Sequence, residues 1–69
     1  MTYSVSAKIP FRGDFAIVTN QFKKFEKAAA EFERQCKLLE IKTEPIEKGT
    51  IWAKEEKGNT IIEFEKHSL

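Results

Sequence analysis

FAIVTNQFKKFEKAAAEFERQCKLLEI, residues 15–41, decides the fold of this 69-residue chain. From Phe22 onward an apolar residue returns every three or four positions (Phe22, Phe25, Ala29, Phe32, Cys36, Leu39) with charges packed between. That is the period of a helix with one apolar stripe. Good helix formers fill Gln21 to Ile41, and neither glycine nor proline interrupts them. The four residues ahead, Phe15 to Val18, are too apolar for a loop and too few for their period to decide. Read as helix, they take Asp14 as cap and continue the stripe through Phe15 and Val18. Read as strand, they form a hairpin with the preceding segment, and Thr19 or Asn20 caps the helix. A helix over all 27 residues would span ~40 Å, against ~23 Å for the seven-residue strand before it, and so large an overhang would need a partner chain. The balance falls to the shorter helix, from near Asn20 to about Ile41, with Pro45 closing the region.

Around that helix, Glu26, Glu33 and Glu40 line one edge of the stripe, while Lys23, Lys27, Arg34 and Lys37 lie farther round. Upstream, Tyr3 to Ile9 alternates apolar with polar, which predicts a strand with Tyr3, Val5, Ala7 and Ile9 pointing inward. Pro10 should end it, and Arg12-Gly13-Asp14 should turn the chain. That tripeptide resembles the integrin-recognition motif of adhesion proteins, yet three residues recur often by chance and a plain turn is the reading.

Downstream, Thr50–Glu55 and Thr60–Lys66 read as the arms of a hairpin. A turn centred on Lys57-Gly58 sets Ala53 opposite Ile62, Ile51 opposite Phe64, Trp52 opposite Glu63 and Lys54 opposite Ile61. The first two pairs make an apolar face for the helix, and Trp52 and Ile61 then face away from it. The predicted fold is α+β: a two-layer sandwich, one long amphipathic helix on a small antiparallel sheet of three or four strands. The element order is β-α-β-β, or β-β-α-β-β if residues 15–18 are strand. In the first order a right-handed crossover places the terminal strand centrally, antiparallel to both neighbours.

Size limits the rest. A single domain over residues 1–69 buries only roughly 60% of its unfolded surface, so its core is marginal. A lone cysteine, Cys36, rules out an internal disulfide, and a homodimer becomes the expected support. The same scarcity of cysteine predicts a cytoplasmic, reducing location. No apolar run approaches the ~20 residues of a membrane helix, and Met1-Thr2-Tyr3-Ser4 does not begin like a signal peptide, so no membrane partner is expected. Twelve basic residues against eleven acidic give a formal charge of +1, which excludes a strongly basic nucleic-acid coat and an acidic mimic of DNA.

Chemistry is mostly excluded by placement. Cys36 falls in the apolar stripe, where a thiol is a small hydrophobe and not a nucleophile. His67 is the only histidine, near the carboxyl end, and is read as a solvated tail residue. One cysteine and one histidine cannot make a zinc site. The isolated glycines form no phosphate-binding loop, and the glutamates alternate on faces that read as solvated. No catalytic residue, cofactor, metal or small-molecule substrate is therefore expected, and the chain is read as non-enzymatic.

Surface remains. Trp52 and Ile61 on the uncovered sheet face, with Lys54 and Glu63 beside them, resemble the apolar centre and polar rim of a protein interface. The expected function is a protein-binding or regulatory module that occludes a partner protein. The alternative is a small nucleic-acid-binding regulator using Lys23, Lys24, Lys27, Arg34 and Lys37, with Trp52 as a stacking platform. In size and layout the chain is similar to small accessory proteins of phages and mobile elements, some anti-CRISPR inhibitors among them. That similarity is one of scale and element order, and no particular residue carries it.

Overall fold

Two hairpins and one helix make up the chain in the computed structural model, which describes residues 1–68. The order is β1 (Thr2–Phe11), β2 (Asp14–Phe22), α1 (Phe25–Leu38), β3 (Trp52–Lys57) and β4 (Thr60–His67). All four strands join one antiparallel sheet in the order β2-β1-β4-β3, with α1 packed on one side of it. This is the α+β sandwich of the sequence reading, in its five-element form. The crossover through α1 leaves β1 and β4, the first and last strands, paired at the centre, as expected for the terminal strand. Among the described residues, no helix is long and apolar enough to cross a membrane.

Residues 15–18 are strand, and β2 runs four residues farther than the sequence suggests. The stripe from Phe22 onward is in helical phase, but Phe22 pairs with Tyr3, so the ladder with β1 claims every residue up to that point. Tertiary pairing here overrides local propensity. The helix consequently starts at Phe25, and neither Thr19 nor Asn20 caps it; Lys24 stands at the boundary in extended geometry without a side-chain cap bond. It also ends earlier than Ile41. Glu40 takes φ 57, Ile41 N–H donates to the Cys36 carbonyl at 2.8 Å, and Glu40 N–H donates to the Lys37 carbonyl at 3.2 Å. Those two bonds form a Schellman closure, which turns Ile41 back into the core. Glu40 therefore lies past the helix and not along its edge.

Pro10 does not end β1, which continues to Phe11. The pairing with β4 stops at Lys8–Ile61, while the pairing with β2 continues to Phe11–Asp14. Proline's missing N–H thus points where no neighbour remains, the edge position a sheet tolerates. Arg12 and Gly13 both take positive φ (51° and 78°), so the tripeptide is a tight hairpin turn of type I′ sense.

The second hairpin is displaced two residues from its predicted register. Gly58-Asn59 is the turn, with positive φ at Gly58 alone, as in type II′. Ala53 faces Phe64, Trp52 faces Glu65, Lys54 faces Glu63 and Glu56 faces Ile61. Ile51 precedes the strand and is exposed. A slip of two keeps every side chain on its predicted face, since strands alternate with period two. It changes the partners, so that Glu55, on the helix side in either register, stands opposite Ile62.

The core lies between α1 and the central pair. Val5, Phe32, Cys36, Ile62 and Phe64 are its largest fully buried side chains, with Tyr3, Ala7, Ala28 and Ile41 around them. Phe64 is the hub: its ring meets those of Tyr3, Phe25 and Phe32 at centroid distances of 5.9, 5.8 and 6.3 Å. Ala28 and Ala29 are buried where the helix meets the sheet, and small side chains permit that close approach.

Candidate protein-binding surface

Among the described residues, none forms a second layer on the sheet face opposite α1. Alternation along the strands places Ser4, Ser6 and Lys8 of β1, Phe15, Ile17, Thr19 and Gln21 of β2, Trp52, Lys54 and Glu56 of β3, and Ile61, Glu63 and Glu65 of β4 on this face. Three rows cross all four strands: Gln21–Ser4–Glu65–Trp52, Thr19–Ser6–Glu63–Lys54 and Ile17–Lys8–Ile61–Glu56. Trp52 and Ile61 thus face away from the helix, and Trp52 is 52% exposed.

The four residues singled out from the sequence gather on this face. Lys54 stands directly across from Glu63, not from Ile61, and Ile61 lies in the next row. Trp52 is diagonal to Glu63, and its indole N–H donates to that carboxylate. Ser6, Lys8, Ile17, Lys54, Ile61 and Glu63 line a shallow depression of about 380 Å³. Isoleucine lines it at two points, and lysine and glutamate give its lining both signs of charge. A ligand matching it needs a small apolar projection flanked by mixed charges, a description that fits a protein surface better than a free metabolite.

Sequence reasoning missed the apolar side chains of the first hairpin. Beyond Lys8 the β1–β2 pair projects past β4 as a two-stranded arm, exposing Phe11 (56%) and Phe15 (48%), and Ile17 (66%) and Val18 (51%) are exposed on the edge strand where the sheet is still four strands wide. The Lys8 ammonium sits 4.3 Å from the Phe15 ring centroid, a cation–π contact across the open face. The signal was present as the uncharged run from Phe15 to Phe22.

His67 is not a solvated tail residue. It pairs with Thr2 in the sheet, and its Nε2 lies 2.9 Å from the Ser4 hydroxyl oxygen. Ser4 is only 7% exposed, and among the described residues no carboxylate bonds the other ring nitrogen. The contact fastens the end of β4 to β1 and lacks the oriented base and open nucleophile of a hydrolase. Cys36 is fully buried, and burial, foremost, pushes its thiol up to about 11, so almost none is thiolate at neutral pH.

The basic residues lie on the other side of the molecule. Lys23 and Lys24 precede α1, and Lys27, Arg34 and Lys37 form a stripe along its solvent face. The Arg34 guanidinium is engaged by Glu31 through two bonds of 2.8 Å. Trp52 is on the opposite layer, so the indole and this basic stripe cannot grip one strand of nucleic acid together. In comparisons with known proteins, no family model, curated protein or solved structure matches the chain.

Proposed function

We propose that the chain is a small protein-binding module that occludes a site on a partner protein with its uncovered sheet face. The observation that supports this reading is the half-exposed Trp52 standing beside the Ile17–Ile61 depression on a face that no other described element covers. An indole at the margin of an apolar hollow, ringed by Lys8, Lys54 and Glu63, has the composition of an interface hot spot. Action by occlusion needs no catalytic group, and in scale it suits an accessory or inhibitor protein of a phage or mobile element.

The reading is tested with a partner recovered by affinity capture and then purified. Titration calorimetry should show Trp52→Ala weakening binding at least ~10-fold, the threshold of an ordinary hot spot, with an unchanged far-ultraviolet spectrum. Changing Lys23, Lys27 and Arg34 together to glutamine should leave affinity within about threefold, as rim or remote charges do. Equal binding by Trp52→Ala and the parent chain defeats the proposal. Retention on nucleic acid that disappears with added salt and in the triple glutamine variant favours the basic stripe instead.

A further inference from the structure

We propose that two copies of this chain join edge to edge, β2 against β2 in antiparallel sense, about a two-fold axis through Val18. The inference is independent of what the open face binds. It begins with the contrast between the sheet's two edges. β3 carries Lys54, Glu55, Glu56 and Lys57 within six residues, the charge that keeps an edge strand from pairing. β2 is nine residues long and has no charged residue after Asp14. A long, uncharged, apolar edge is what pairing with another strand requires.

The occupant follows from the hydrogen-bonding phase and from Val18. The two-residue turn closes on Phe11–Asp14, a pair that exchanges hydrogen bonds, so Asp14, Ala16, Val18, Asn20 and Phe22 bond β1. Phe15, Ile17, Thr19 and Gln21 then aim N–H and C=O at the free edge. Val18 is the midpoint of β2, and an axis there overlaps the whole strand: Phe15 meets Gln21 of the second copy, and Ile17 meets its Thr19. Outward donors fall on outward acceptors along the full length. Val18 faces the helix side yet is 51% exposed and lies outside the core cluster. Across the axis it meets Val18 of the second copy in a non-hydrogen-bonded pair, where side chains come closest. The product is one eight-stranded sheet with both helices on one side and both Trp52 faces on the other. A foreign strand would satisfy the same edge but would not set residue 18 against itself, and the test turns on that self-pairing.

Sedimentation equilibrium of the parent chain should give twice the 8.0 kDa chain mass. Val18→Lys and Val18→Glu each set like charges face to face and should sediment as monomers, with dimer dissociation constants raised at least ~10-fold. Their equimolar mixture should return to the dimer mass, since unlike charges then meet at the axis. A monomeric parent chain, variants as dimeric as the parent, or a mixture that stays monomeric each overturns the proposal. Should a charge at 18 unfold the monomer, Val18→Cys gives a second reading, Cys36 being buried. Val18→Cys should form a disulfide-linked dimer on oxidation, and Ile17→Cys should not; the reverse pattern overturns the axis.

Discussion

Glu40 shows how a single position terminates an element against its own preference. Its φ of 57° lies in the left-handed region, where a Cβ is crowded and glycine is the usual occupant. Glu40→Gly keeps both closing hydrogen bonds, which are made by backbone groups, and removes the strain. We expect a gain of about 0.5–1 kcal/mol in urea denaturation, and a loss would mean that the Glu40 side chain contributes something its contacts do not show. The same position explains why the helix end was illegible. Sequence signals for a helix stop are glycine or a following proline, and the first true signal here is Pro45, well past the turn. By contrast the burial of Cys36 and of Tyr3, Val5 and Ala7 was legible, because period alone fixes the face on which a residue lies. Pro10 misled for a related reason: its effect depends on where β4 begins, which is a property of another segment.

At the scale of the element, α1 is held in register by its apolar stripe and trimmed by one polar cluster. The Glu31 carboxylate accepts two bonds from Arg34 and one from Gln35, each 2.8 Å. The hydrogen bonds from Arg34, first among the causes, hold the Glu31 carboxyl below its ordinary value of 4.5. A carboxyl depressed in the folded state contributes stability that is fully present above its unfolded value and disappears as pH falls through its folded one. The parent chain should therefore lose more stability than Arg34→Gln on acidification from pH 6 to about pH 3, measured as the shift in urea midpoint at each pH. Parallel curves for the two would show that the cluster is not formed in solution. The existence of α1 was clear from sequence, whereas its length was not. Phase continuity from Phe15 to Leu39 is real, but a strand with a partner outcompetes a helix at Phe22, and no local pattern reports the partner.

For the molecule as a whole, stability converges on Phe64, whose ring touches both layers. Phe64→Ala should cost ~3–5 kcal/mol, about all that a domain of this size possesses. Circular dichroism in urea should then show no cooperative transition, while Phe11→Ala on the exposed arm should change the unfolding free energy by less than about 0.5 kcal/mol. A cooperative Phe64→Ala variant would place the hub elsewhere. Layering, sheet order and the outward facing of Trp52 and Ile61 were readable because they depend on parity and chain order. The hairpin register slipped because Gly58 serves equally as the first or second residue of a turn, and the projecting arm was invisible because it arises from where β4 begins, which no pattern within β1 or β2 reports. One feature of the central pair has a mechanical side: Thr2 lies opposite His67, with the two strands antiparallel. Tension applied at those two residues would peel rungs apart singly, like a zip opened from its end, instead of loading them all at once in shear. A fold secured in its middle against heat and denaturant would on that account yield early to a pull.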